Sequence, residues 1–204
     1  MTKIDRIKKI LNQLEDLDTS PLYHFRIENL YKPVLGEGNL DAEIVFIGEA
    51  PGKNEAESGR PFCGRAGKIL DELLNEAGLN RDEVYITNTV KDRPPNNRRP
   101  TKKEVEIYSP ILQKQIEIIQ PKILVTLGNT ATDYIFEAFK VGEKYQNFGE
   151  VEGRVFPIKV NDQKALLYPL YHPAYAIYQR INFPKMREDF LQIQDLLRRI
   201  NAPD

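Results

Sequence analysis

The chain has 204 residues, with 29 Lys and Arg against 30 Asp and Glu, two His and a formal net charge of -1. Its single cysteine excludes an internal disulfide framework and any zinc or iron–sulfur site built from cysteines of this chain alone, and two histidines argue against a histidine-rich metal centre. The charge balance excludes a uniformly basic nucleic-acid-binding domain, though not a local basic patch, and 41% hydrophobic with 29% charged residues is an ordinary globular composition.

The opening segment, MTKIDRIKKILNQLEDL, is charged and amphipathic and lacks the apolar core of a signal peptide. Nowhere does an apolar run approach the ~18 residues of a membrane span. A cytoplasmic chain without membrane contact is expected. Ile4, Ile7, Ile10, Leu11 and Leu14 recur at helical spacing and predict a helix that ends before Asp18-Thr19-Ser20-Pro21. After a loop-like stretch through Gly38, residues 42–48 read as a buried strand. Ile69, Leu70, Leu73 and Leu74 mark one face of a helix over 64–77, which Gly78 stops. A second strand follows at 84–88, then a Pro- and Asn-rich segment from Lys91 to Pro100 that cannot be regular structure. Thr101 and Glu104 have the spacing of a capping box, opening a helix toward Ile119. A third strand spans 123–128, and Asn129 caps a helix to about Phe139. The fourth strand spans 165–171, where Pro169 suggests an edge position or an interruption. A helix over 184–200 closes the chain.

Strands alternating with helices predict an α/β fold: one domain over 1–204, a three-layer α/β/α sandwich with a central, mostly parallel four-stranded sheet. Ligands of such sheets sit at the carboxyl ends of the strands. Three of those ends are polar or turn-rich. Gly48-Glu49-Ala50-Pro51-Gly52 turns sharply and projects Glu49, Asn88 ends the second strand, and His172-Pro173 follows the fourth. Taken singly, they read more readily as a solvated turn glutamate, an asparagine bonding its own turn and a structural histidine. No phosphate loop and no GxGxxG is present. Lys91, Arg93, Arg98, Arg99, Lys102 and Lys103 cluster beside the expected crevice with Asp92 as the one interleaved acid, which suggests a phosphate-backbone surface.

Read together, GEAPGxxE (48–55), GRPFCGRAG (59–67), TN (87–88), RPPNNR (93–98) and HPA (172–174) resemble the family 4 uracil-DNA glycosylases, in that family's order and spacing from about Gly36 onward. The resemblance implies that Glu49 stabilises an oxocarbenium-like sugar or positions water, and that His172 donates to the anion forming at uracil O2. It further implies that Asn88 reads the uracil edge, Phe62 stacks on the flipped base, Glu55 excludes the thymine methyl, and backbone groups at Ala50 help hold the base. The segment 173–180 corresponds to the family's intercalation loop, offering Tyr175, Ile177 and Tyr178 as wedges and Arg180 as a phosphate partner.

The chain departs from the family at its four iron–sulfur cysteines. The matching positions are Leu17, Ser20, Asp92 and Tyr108 or a close neighbour, and Cys63 is not among them. No cluster, no metal and no dissociable cofactor are therefore expected, with Tyr108 filling part of the volume and Arg26 or a nearby Lys pairing with Asp92. A covalent trap through a histidine on an inserted basic loop is rejected, because His24 and His172 lie in no such insertion. The expected activity is that of a monofunctional glycosylase: it flips uracil out of single- or double-stranded DNA, hydrolyses the N-glycosidic bond and acts as a monomer. Alternatives are preference for hypoxanthine or xanthine, or a non-catalytic DNA-binding relative. A small-molecule hydrolase is disfavoured by the lack of a nucleophile with a base.

Overall fold

A computed structural model describes residues 1–202, the side chain of Tyr178 excepted. Helix α1 (Lys3–Glu15) begins at Thr2, whose side chain and that of Asp5 form a reciprocal capping box, and α2 (Tyr23–Glu28) follows within the stretch expected to be loop. Strands β1 (Glu37–Gly38) and β2 (Ile44–Gly48) lead into α3 (Lys53–Ser58) and α4 (Arg65–Glu76). Then come β3 (Tyr85–Asn88), α5 (Lys102–Ile119), β4 (Ile123–Leu127) and α6 (Asn129–Ala138). The chain continues through β5 (Phe156–Val160), β6 (Gln163–Leu170), α7 (Ala174–Tyr178) and α8 (Phe183–Asn201). The expected capping box at Thr101 and Glu104 opens α5, whereas α6 is capped by Gly128 and Asn129 is already its first residue.

The sheet has six strands, not four, in the order β1-β3-β2-β4-β6-β5. The four expected strands form its parallel centre, and the two additions are antiparallel edges. β1 is only two residues long, and β5 alternates buried and exposed residues around Pro157, so neither shows the continuous apolar run of a buried strand. β5 and β6 form a hairpin closed by Asn161 and Asp162, both at positive φ (48° and 65°), the geometry of a two-residue turn that follows the sheet twist. Pro169 is not on an edge strand. Its carbonyl accepts from Gly153 on the β5 side, beyond the last β5 pair at Phe156–Leu167, so its missing N–H falls where the ladder has ended.

Period-two alternation divides the core into the expected layers. Ile44 and Phe46 of β2 pack with Leu70, Leu73 and Leu74 of α4 and Met186, Phe190 and Ile193 of α8. Val45 and Ile47 face the opposite side, against Leu112 and Ile116 of α5 and Ile135 of α6. A third apolar cluster joins Ile10 and Leu14 of α1 to Leu22, Val90, Tyr108 and Ile111, fixing the N-terminal helices against α5. Among the described residues no helix is long and apolar enough to cross a membrane.

Candidate active site at the carboxyl ends of the strands

The exits of β2, β3, β4 and β6 meet at a cleft of about 630 Å³ lined by Glu49, Ala50, Glu55, Phe62, Asn88, Gly128 and His172. Glu49 leaves β2 with a half-exposed carboxylate. Thr130, in the first turn of α6, donates its hydroxyl to Glu49 Oε2 at 2.5 Å and accepts from Arg99 Nε at 2.9 Å. Arg99 stands 4.0 Å from the same carboxylate oxygen and also donates to Asp133, which the Tyr145 hydroxyl holds from its other oxygen. Among the described residues nothing bonds Glu49 Oε1. The carboxylate is thus held from one oxygen, with the other left for a reacting group.

His172 turns out of β6 and is held by its own backbone. Its Nδ1 accepts from the Ala174 N–H at 3.1 Å, so the ring proton resides on Nε2. Burial pushes the imidazole down to about 4, leaving it neutral at pH 7. Gly128 permits this approach: a Cβ there would lie 3.3 Å from the His172 Cβ. The Phe62 ring stacks near His172 at 5.5 Å between centroids, with 29° between planes.

Phe62 adopts φ 48°, an uncommon conformation for a bulky residue, and two glycines make room for it. A Cβ on Gly67 would come within 1.8 Å of the Phe62 carbonyl oxygen, and one on Gly48 within 2.6 Å of the ring and 2.4 Å of Asn88 Oδ1. Glu55 accepts the backbone N–H groups of Cys63 and Gly64 at 3.1 and 2.8 Å. It thereby clamps the loop that carries Phe62 and leads into α4. Asn88 is only 2% exposed, yet among the described residues no group bonds its side-chain amide. An asparagine amide so placed presents one acceptor and two donors to a ligand.

The basic residues do not form one surface. Lys91 is the clear departure: it is fully buried, with Nζ donating to Thr87 Oγ1 and the Asn88 carbonyl at 2.7 Å each, because the chain folds back beneath β3 as it leaves the sheet. It cannot meet a phosphate. Arg93 bonds the Tyr31 hydroxyl and Asn97, and Arg98 makes a two-pronged pair with Glu104. Lys102 and Lys103 are exposed on the first turn of α5. Across the cleft Ile177 lines the wall, Tyr175 is partly exposed and stacked on Tyr171 at 4.7 Å, and Arg180 pairs with Glu72 at 2.9 Å. The Tyr178 side chain lies outside the described residues.

Thr130 was not anticipated: it follows a parallel strand end, Gly128-Asn129-Thr130, that carries no ionisable side chain to draw attention. The same strand-end rule that selects Glu49, Asn88 and His172 also selects it.

Far from the cleft mouth, Ser20, Asp92 and Tyr108 converge. The Tyr108 hydroxyl donates to Asp92 Oδ2 at 2.6 Å, which spends its proton, so Ser20 Oγ donates to the Tyr108 oxygen, also at 2.6 Å. Arg26 lies 3.6 Å from Asp92 Oδ1 and donates to the carbonyls of Leu14 and Glu15 at the end of α1. All four are almost fully buried, and Leu17 packs on the same cluster. Two hydroxyls, a carboxylate and an alkyl chain, already bonded or packed among themselves, do not fit a thiolate-ligated iron–sulfur cluster.

Residues 35–198 match the model of the uracil DNA glycosylase superfamily. A type-4 uracil-DNA glycosylase of Sulfurisphaera tokodaii is 44% identical over 194 residues, covering 95% of this chain and 86% of the relative. A type-4 uracil-DNA glycosylase of Thermotoga maritima is 47% identical over 149 residues, 73% of each chain. A type-5 uracil-DNA glycosylase of Pyrobaculum aerophilum is 32% identical over 158 residues, covering 70% of this chain and 66% of the relative. With the sheet, the cleft and its glutamate, asparagine and histidine in place, the chain belongs to the uracil DNA glycosylase superfamily and resembles its type-4 members, with a single cysteine, Cys63, that is not at a cluster position.

Proposed function

We propose that this protein removes uracil from DNA by hydrolysing the N-glycosidic bond, leaving free uracil and an abasic site. The observation that carries the reading is the unengaged amide of Asn88 sharing one cleft with a neutral His172 whose proton is on Nε2. When the C1′–N1 bond breaks, its electron pair moves onto the base and negative charge grows at O2. A neutral imidazole N–H donates there without needing to lose its proton. Asn88 accepts from uracil N3–H and donates to O4, whereas cytosine inverts that pattern. Phe62 supplies the stacking face for the flipped base. Glu49, held by Thr130, stabilises the positive sugar or orients the water that adds to C1′. The action is monofunctional in this reading, with water attacking C1′ rather than Lys53, the one lysine among the described residues that line the cleft.

Glu55 keeps its proposed role against the thymine methyl, and its hold on the Phe62 loop supports it by placing the carboxylate in the cleft wall. DNA contacts are proposed for Lys102, Lys103, Arg98 and Arg99 on one side and for Tyr175, Ile177 and Arg180 on the other. The protein acts as a cytoplasmic monomer in this reading, since every group the chemistry needs comes from one chain. The network at Ser20, Asp92 and Tyr108 supports a cluster-free protein, and finding about four irons per purified chain would overturn that part.

The deciding experiment measures base release from oligonucleotides carrying uracil, hypoxanthine, xanthine or thymine, single- and double-stranded. Excision of uracil well above the others, lost by orders of magnitude in Glu49→Ala and His172→Ala, is the expected result. Full activity in both variants refutes the mechanism.

A further inference from the structure

Lys91 is a cation placed where a cation is expensive. Its side chain is fully buried, and among the described residues no carboxylate pairs with it. A methionine or leucine would fill the volume without the desolvation that pushes this amine well below its ordinary range. What the amine does there is specific. It donates to Thr87 Oγ1 and to the Asn88 carbonyl, each at 2.7 Å, while the Thr87 hydroxyl spends its own proton on the Leu35 carbonyl at 2.7 Å. Two buried acceptors thus take two of the amine's protons.

The Asn88 carbonyl needs that partner. The β1 ladder ends at Ile86, and the β2 side is taken by Thr89 N–H donating to the Gly48 carbonyl at 2.8 Å. Without Lys91 the last peptide of β3 would carry a buried, unpaired oxygen and be held from its Thr89 N–H alone. The Asn88 side chain hangs from that same peptide unit, hemmed in by Gly48 so closely that a single Cβ would strike it.

We propose that Lys91 is a positioning residue for base recognition, fixing the angle at which the Asn88 amide meets the base by holding the Asn88 carbonyl and Thr87 together. This rests on the reading of Asn88 as the group that meets the base.

The test is a double-mutant cycle of Lys91→Met and Asn88→Ala, read as single-turnover uracil excision well below each melting temperature, with DNA affinity measured separately. Lys91→Met is expected to slow the chemical step by about 10-fold or more with DNA affinity within about 2-fold, and the double variant to match Asn88→Ala within about 3-fold. Multiplying losses in the double variant, or a Lys91→Met rate within about 2-fold of the parent, overturns the proposal. Should Lys91→Met fail to fold, Thr87→Val removes one of the two acceptors and enters the same cycle with the same expected non-additivity. An inactive parent, or a fully active Asn88→Ala, refutes the functional reading and the proposal with it. An active parent, a crippled Asn88→Ala and an intact Lys91→Met refute the proposal alone.

Discussion

Replacing Tyr108 with Phe removes one oxygen from a fully buried site and leaves the ring to fill its place. That oxygen donates to the Asp92 carboxylate and accepts from Ser20, so its loss strands two groups at once. A hydrogen bond to a buried charge is worth about 1.5–3 kcal/mol, and the orphaned Ser20 proton adds about 1 kcal/mol, so the expected loss is about 2–4 kcal/mol. For a chain of this length that lowers the melting temperature by about 5–15 °C. The loss also depends on pH with a definite sign. Burial already raises the Asp92 carboxyl, and Tyr108 and Arg26 oppose that rise. Removing the hydroxyl raises it further, so the folded state binds its proton more tightly than the unfolded chain does, and stability falls as pH rises through that window. The deficit of the variant should therefore be larger at pH 8 than at pH 4, the ordinary aspartate range, and adding Asp92→Asn should return part of it by removing the stranded charge. Urea denaturation at both pH values measures this. A loss under about 0.5 kcal/mol, or an equal loss at both pH values, refutes the view that a polar network holds α1 and α2 to the Asp92 loop.

The depressed His172 imidazole favours the neutral ring in the folded state, so its contribution, at most about 3 kcal/mol, is intact above pH 6.5 and lost as pH falls toward 4. His172→Gln should flatten the acid limb of stability between those values, and the parent's excision rate should show no histidine titration near pH 6.5. Thr130→Val removes the hydroxyl donated to Glu49 and should slow excision by about 10-fold with DNA affinity unchanged, whereas an unaltered rate would free Glu49 from that orientation. Glu55→Ala deprives Cys63 and Gly64 of their acceptor and should destabilise by about 1–3 kcal/mol in thermal unfolding, the cost of unpaired backbone donors.

The parallel centre of the sheet was readable because each of its strands is a short unbroken apolar run bounded by turn residues, the mark of burial on both faces. Edges carry no such mark. β1 offers two residues, β5 reads Phe-Pro-Ile-Lys-Val with alternate residues exposed, and the Asn161-Asp162 turn between β5 and β6 gives the hairpin away only once its positive φ values are seen. Helix α2 has no side-chain cap and buries only Arg26, and α3 buries only Ala56, so neither shows a periodic apolar face. The cleft residues were legible as an ordered set although none was decisive singly. Lys91 was misread for a physical reason: charge runs are normally solvated, and only the reversal of the chain beneath β3 converts this one into a buried donor. Arg26 and Asp92 do meet, at 3.6 Å, where the absence of cysteines called for a replacement.

Five residues at the end of β3 link these observations. Asn88 turns its amide into the cleft, Thr89 bonds back to the Gly48 carbonyl by backbone and hydroxyl, and Val90 N–H reaches the Glu49 carbonyl at 3.0 Å. Lys91 folds under Asn88, and Asp92 enters the buried network with Tyr108 and Arg26. The amide proposed to read the base, the backbone of Glu49 and the attachment of the N-terminal helices are therefore joined through one short segment. A metal cluster at the far end of that segment would fix it by covalent ligation. At that end a buried carboxylate, phenol and guanidinium tie the segment to α5, α2 and the end of α1. Arg26 Nε and Asp92 Oδ1 face each other at 3.6 Å without a hydrogen bond, so the direct bonds of Tyr108 to Asp92 and Ser20 carry most of the hold, which is why its single hydroxyl carries so much of the stability expected of the network.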